Sequence, residues 1–301
     1  MIDSGILTPI LRRLTTSLRP PRPPLQLLRV DGRVAGRLDA ERGRRLAAFD
    51  RVFERSPDGL VFLPRFRDAA TRSEALDDVA RTLSAEGLLT PWRAERYAVG
   101  PGFGTPPWFL LERAAARFFG VRTFAAHVNG LVGPPDAPTL WFARRSPQKA
   151  IDPGQLDNLV GGGIAAGQTV AATVVKEALE EAGIDAALAR RAVPAGALHV
   201  FRAPADGIQL ETIFVHDLWL PADFVPVPTD GEVVEFRRVD LGTAAWLIAR
   251  AEGPDRVTVD ASLVVLDCLL RHGAIAADAP EFLSLEALRH PAPGADAGAP
   301  D

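Results

Sequence analysis

A chain of 301 residues with 47% hydrophobic and 24% charged residues can bury one or two cores and has none of the compositional marks of a disordered or fibrous protein. Its net charge of −4 excludes a global basic field for nucleic acid, and no apolar run approaches the ~18 residues that span a bilayer. The one cysteine, Cys268, cannot close an intrachain disulfide and is read as a small buried hydrophobe; this and the lack of a leader with a long apolar core suggest a cytoplasmic protein.

Taken in chain order, residues 1–24 are expected to be a disordered tail. Segment 6–19 is mildly amphipathic, and Pro-Pro-Arg-Pro-Pro at 20–24 reads as a stiff extended linker. Segments 25–30 and 33–38 flank Asp31-Gly32, a hairpin signal. A helix is expected over about 39–49, then short strands near 51–55 and 59–64. Segment 71–86 has helical periodicity, with Leu76, Val79, Ala80 and Leu83 on one face. Residues 107–119 read as a further helix. Together 25–120 forms a small α+β domain in which nothing clusters like catalytic groups.

From 121 the texture changes. Strands are expected at 122–132 and 139–145, and 156–160 leads into a glycine run at 161–163. A helix over 169–182 ends on Gly183 as a C-cap. Further strands are read at 197–201, 210–220 and 233–239, the second rich in β-branched and aromatic residues, and helices at 257–271 and 282–290. Residues 121–291 thus form a second domain, and 292–301, rich in Ala, Gly and Pro, a disordered tail. Mixed strands with helices on both sides predict an α/β/α sandwich.

The chemistry concentrates in the helix at 169–182. It carries Glu177, Glu180 and Glu181, which share one face at 3.6 residues per turn. Like charges three and four apart oppose helix formation by roughly 0.2–0.5 kcal/mol per pair, and Lys176 is the one cation among them. A divalent cation would neutralise the cluster. Mg²⁺ (or Mn²⁺) takes carboxylate oxygens and keeps waters for chemistry. A solvated acidic face is the alternative, and the fixed register of Gly161–Gly163 and Gly167 argues against it.

This segment resembles the Nudix box, G-x5-E-x7-R-E-U-x-E-E-x-G-U, where U is a bulky aliphatic residue. Gly162, Glu177, Glu180, Glu181, Gly183 and Ile184 fall on its fixed positions, whereas Gln168, Lys176 and Ala178 depart from it. The likeness extends to His127-Val128-Asn129-Gly130, Ala143-Arg144-Arg145-Ser146, Leu156-Asp157-Asn158-Leu159-Val160, Thr229-Asp230-Gly231-Glu232-Val233 and residues 266–273. These stretches are similar to one Nudix branch, with a distinctive N-terminal domain, related to the Nudix half of fungal thiamine pyrophosphokinase. In that branch the first box Glu is often missing, as at Gln168; Gln155 stands where the branch tends to have Lys. The resemblance implies a Nudix α/β/α sandwich with a mixed sheet behind a small α+β domain. It also implies hydrolysis of thiamine diphosphate, or its oxidised forms, to the monophosphate.

Site roles follow as expectations. Glu180 and Glu181, adjacent and outward, are metal ligands, with Glu177 a third ligand or a base; the resemblance implies ligand roles for all three. Glu211 opens an apolar strand, where a carboxylate is costly unless paired or metal-bound, so it is a fourth ligand, the base, or an exposed strand-edge residue. Glu177, Glu180 and Glu211 are thus the catalytic candidates. Glu232 competes from a turn. Arg144, Arg145 and Lys149 could receive phosphates, with at most one of the two arginines facing inward. Asp157 and Asn158 contact substrate, orient the glycine run or form a turn. Gly162 and Gly163 allow close backbone approach. Lys176 keeps the charge of the box Arg without its rigid fork. His127 and His216 are read as structural, and Trp141, Phe142 and Trp219 as core or pocket wall. The expected partner is a small-molecule diphosphate, not nucleic acid or membrane. The alternatives are a nucleoside diphosphate derivative such as ADP-ribose, or a non-catalytic diphosphate sensor.

Overall fold

The computed structural model describes residues 2–290; the expected tail at 292–301 lies outside them. The expected tail at 1–24 is corrected. After a 3-10 turn at Ser4–Ile6, helix α1 (Leu7–Ser17) buries Leu7, Ile10 and Leu14. These three lie on one helical face and enter the core of the second domain. Arg13 anchors the helix by donating to the carbonyls of Ile248 and Val257. The proline run that follows separates this helix from the next domain rather than ending a tail.

Strands β1 (Gln26–Val30) and β2 (Arg33–Leu38) pair antiparallel. Asp31 and Gly32 both have left-handed backbones, φ 50° and 79°, as a two-residue hairpin turn requires. Helix α2 (Ala40–Ala47), strands β3 (Phe53–Ser56) and β4 (Gly59–Phe62) and helix α3 (Ala69–Ala85) complete a four-stranded sheet of order β2-β1-β4-β3 with helical cover. A two-stranded ribbon of β5 (Arg96–Val99) and β6 (Phe109–Glu112) follows, then α4 (Ala116–Phe119). The helix expected over 107–119 is therefore corrected: only its end is helical. A short apolar run has no period that separates strand from helix, and Phe109 and Leu111 point into the core while Leu110 is half-buried. Leu28, Leu60, Leu76, Leu83, Phe109 and Phe119 centre this domain's own core.

The second domain runs β7 (Arg122–Val132), β8 (Thr139–Arg145), β9 (Leu156–Asn158), β10 (Val160–Gly163), α5 (Val170–Ala182), α6 (Ala186–Ala189), β11 (Val193–Arg202), β12 (Gln209–Trp219), β13 (Val233–Asp240), α7 (Leu241–Ala249), α8 (Val259–Arg271) and α9 (Phe282–Ala287). Its sheet has the order β11-β12-β7-β8-β13, with β10 beside β7 and β9 beside β8. Strands β7 and β12 are parallel and the other pairs antiparallel, so the sheet is mixed. Val174, Ala178 and Ala182 of α5 cover one face. Helices α1, α7 and α8 cover the other, and the result is an α/β/α sandwich. Helix α7 has no counterpart in the sequence reading; Asp240 caps it through Thr243 N–H at 2.7 Å. Among the described residues no helix is long and apolar enough to cross a membrane.

Candidate active site

The central element is α5. Thr169 accepts from Ala172 N–H at its start. Gly183, at φ 65°, closes it in the left-handed conformation, and Ile184 N–H returns to Ala178 O at 3.0 Å. This is a Schellman end, and it fixes the register of the acidic residues. The glycine run is not a loop. Gly161, Gly162 and Gly163 lie in β10, opposite His127, Ala126 and Ala125 of β7. Each admits a different neighbour. A Cβ would fall 2.9 Å from the His127 ring at 161, 2.4 Å from Glu177 Cδ at 162, and 2.0 Å from Tyr97 Oη at 163.

The three box carboxylates diverge. Glu181 is buried, where the sequence suggested an outward residue. It accepts from Gly161 N–H at 2.9 Å and lies 3.7 Å from Lys149 Nζ. Burial pushes its carboxyl up to about 8, against the pull of Lys149. Glu177 is also raised by burial, against Lys176 at 2.9 Å. Both line a cleft between the two domains. Glu180 does not: a 100° step about the helix turns it outward, and it pairs with Lys176 at 2.9 Å. Lys176 likewise stays outside the cleft, bridging Glu177 and Glu180.

Glu211 faces the cleft from β12. It accepts from Thr123 Oγ1 at 3.0 Å and Gln209 Nε2 at 2.8 Å, and the same Gln209 nitrogen donates to Asp260 at 3.0 Å. The other Asp260 oxygen, Oδ1, is buried without a partner. Glu232 also lines the cleft. Burial opposes its ionisation, but its bond to Lys149 outweighs this and holds it below the usual carboxylate range. Of the two strand arginines, Arg145 faces inward, donating to Asp157 at 2.7 Å and to the Ile151 carbonyl. Arg144 is corrected as a phosphate contact: it is committed to Asp255 at 2.7 Å, Glu235 and two carbonyls behind the site. Asp157 lines the cleft; Asn158 is corrected as a cleft residue, because it is buried and accepts from His127 Nδ1 at 2.8 Å. It thereby orients His127, which does reach the cleft. Trp141 and Phe142 are core residues, and Trp219 packs beside His272.

The opposite wall was not foreseen. Arg93, Tyr97, Arg113 and Arg117 of the N-terminal domain line the same cleft. Arg113 pairs with Glu95 at 2.6 Å and lies over the Tyr97 ring; Arg117 pairs with Asp206 at 3.2 Å. They come from four separate places, from the loop before β5 to α4, so no spacing announces them.

Eight carboxylates and five cationic side chains line the cleft. An anion entering it meets an excess of negative charge, and an oxygen-only set of Glu177, Glu181 and Glu211 suits a hard divalent cation. Among the described residues the group with three potential ligand atoms within 4.8 Å of one another is Asp217, Cys268 and His272. There Arg271 already bonds both Asp217 oxygens, at 2.6 and 3.0 Å, which makes it an ion-paired core.

Residues 124–261 match the family model of the NUDIX domain, and residues 22–123 match one described as a domain of unknown function, DUF4743. Nudix hydrolase 20, chloroplastic, of Arabidopsis thaliana is 38% identical over 214 residues, 71% of this chain and 56% of that protein. Nudix hydrolase 24, chloroplastic, of the same plant is 38% identical over 214 residues, 71% of this chain and 58% of that protein. An uncharacterized protein of Saccharomyces cerevisiae is 32% identical over 237 residues, covering 73% of this chain and 68% of its own length. The chain thus spans little more than half the length of the two plant relatives.

Proposed function

The chain belongs to the Nudix family, and from that premise we propose that it is a divalent-metal-dependent pyrophosphohydrolase of a small organic diphosphate. The observation that carries this is the convergence of Glu177 and Glu181 from α5 with Glu211 from β12 on one polar cleft. Glu177, Glu181 and Glu211 would hold Mg²⁺ or Mn²⁺, which when bound neutralises phosphate oxygens and acidifies a water.

The chain's own residues supply positioning, which is most of phosphoryl-transfer catalysis. Gly161 N–H fixes one Glu181 oxygen. Thr123 and Gln209 engage both oxygens of Glu211, which fixes this carboxylate toward the cleft. Lys149, held between Glu181 and Glu232, is placed to receive a phosphate oxygen. Asp157 does the same for Arg145 by fixing its guanidinium.

For the substrate's organic part we propose thiamine diphosphate or an oxidised form, cleaved to the monophosphate and orthophosphate. Support comes from the sequence resemblance across both domains. Orthophosphate release with Mg²⁺ from thiamine diphosphate, its oxo derivative and ADP-ribose tests this. We expect kcat/KM at least tenfold higher for a thiamine compound than for ADP-ribose. The reverse order overturns the substrate, and no release from any of them overturns catalysis in favour of a sensor.

A further inference from the structure

The Nudix half of the cleft holds cations, yet none of them is unengaged. Arg145 is bonded to Asp157 and the Ile151 carbonyl. Lys149 lies between Glu232 and Glu181. Each of these cations already serves a carboxylate, with which an incoming diphosphate would have to share it. The N-terminal wall differs. The Arg93 side chain is exposed at the cleft; among the described residues it makes no hydrogen bond and no ion pair within 4.0 Å, although its charge acts on Glu232 across the cleft. Tyr97 also lines the cleft, and its hydroxyl has no hydrogen-bond partner among them. Burial, the leading cause, keeps that hydroxyl protonated well beyond neutral pH, so it stays a donor. Arg113 uses one guanidinium nitrogen for Glu95. Unengaged donors that converge on a cleft are what a phosphate needs, since each forms a charge-assisted bond without breaking an existing one.

We infer that the N-terminal domain is the phosphate-receiving half of the site: Arg93, with Tyr97 and Arg113 beside it, holds the diphosphate end of the substrate against the box carboxylates. This rests on the pyrophosphohydrolase reading and gives the domain matched only to an unknown function a direct part in it. Gly163 is the joint between the halves. Its missing Cβ leaves the room that Tyr97 Oη occupies, 2.0 Å from where that carbon would stand. The third glycine of the 161–163 run therefore serves the partner domain rather than the box.

The test uses the full chain. Methylenediphosphonate, which cannot be hydrolysed, is titrated calorimetrically at saturating Mg²⁺, alongside KM and kcat for the diphosphate substrate. Arg93→Ala should weaken methylenediphosphonate binding about tenfold and raise KM to match, with kcat within about twofold of the parent. Arg93→Lys should restore part of the loss, because charge returns without the fork. Arg67→Ala, remote from the cleft, should behave like the parent. Parent-like affinity and KM in Arg93→Ala, or a loss confined to kcat, overturns the inference while the hydrolase reading stands. A parent chain that neither binds methylenediphosphonate nor hydrolyses any diphosphate overturns both.

Discussion

On the α5 side of the cleft, charge comes from one continuous stretch. Residues 161–184 carry five glycines, two inward carboxylates and the helix end that sets their register. On the N-terminal side, Arg93, Tyr97, Arg113 and Arg117 come from a loop, a strand, a 3-10 turn and a short helix. The first wall is carboxylate-rich with every cation paired; the second is cation-rich with donors to spare. On the proposed reading, a diphosphate would lie between a metal-holding wall and an anion-holding wall, which would fix its pose. The comparison teaches that a family motif can describe one wall of a cleft and leave the other unread.

The largest expected effect separates the walls by kinetic signature. Glu181→Gln should lower kcat about a thousandfold, roughly 4 kcal/mol of transition-state stabilisation, while Arg93→Ala acts on KM. A Glu181→Gln enzyme within tenfold of the parent kcat would erase the distinction.

The next effect concerns what stands behind the α5 wall. Leu14 is fully buried in α1 against α7 and α8. Leu14→Ala should cost about 3 kcal/mol in urea unfolding. Removing residues 1–18 should then destabilise the second domain. An unaltered urea midpoint would mean that α1 packs without stabilising.

Gly163→Ala should sharpen the comparison from the joint. The added methyl meets Tyr97, and overpacking of this kind costs roughly 1–3 kcal/mol. Tyr97→Ala in the same chain should recover part of the thermal stability, a coupling that a double-mutant cycle reads directly. Gly102→Ala, where nothing lies within 4 Å of the new carbon, is the matching control. Additive losses at 163 and 97 would remove Gly163 from the joint.

Much of the α5 wall was legible because helix periodicity converts spacing into geometry. Gly162, Glu177, Glu181 and Gly183 hold the places that their register gives them. Periodicity alone did not separate Glu180 from Glu181, since which of two adjacent residues is buried depends on what packs against the helix. The same holds for Arg144 and Arg145: strand alternation permits one inward arginine, and the partners Asp255 and Glu235 decide which. Helix α1 was obscured by the prolines after it, although Leu7, Ile10 and Leu14 carried its stripe. The N-terminal wall left no local trace. Its residues meet through the β5–β6 pairing, the bond of Arg93 N–H to Glu112 and the docking of Tyr97 on Gly163, and tertiary contacts of that kind have no sequence period.

The smallest effect lies remote from both walls. Asp217 is bonded by Arg271, Asn129 and His272. Burial opposes its ionisation, but these partners hold it below the usual range. A depressed folded value contributes stability that is present above the ordinary value near 3.8 and is lost as pH falls through the folded one. Asp217→Asn should therefore cost about 1–2 kcal/mol at pH 7, with the gap to the parent closing under acid. A gap that does not change with pH would assign the loss to packing.

The central claim is that Glu181, not its neighbour Glu180, points into the cleft to hold a divalent cation. Calorimetric titration of Mn²⁺ into the parent, Glu181→Gln and Glu180→Gln chains tests it most directly. The account predicts at least a tenfold loss of affinity for Glu181→Gln and a change within about twofold for Glu180→Gln. Equal affinities in all three, or the larger loss in Glu180→Gln, would contradict it.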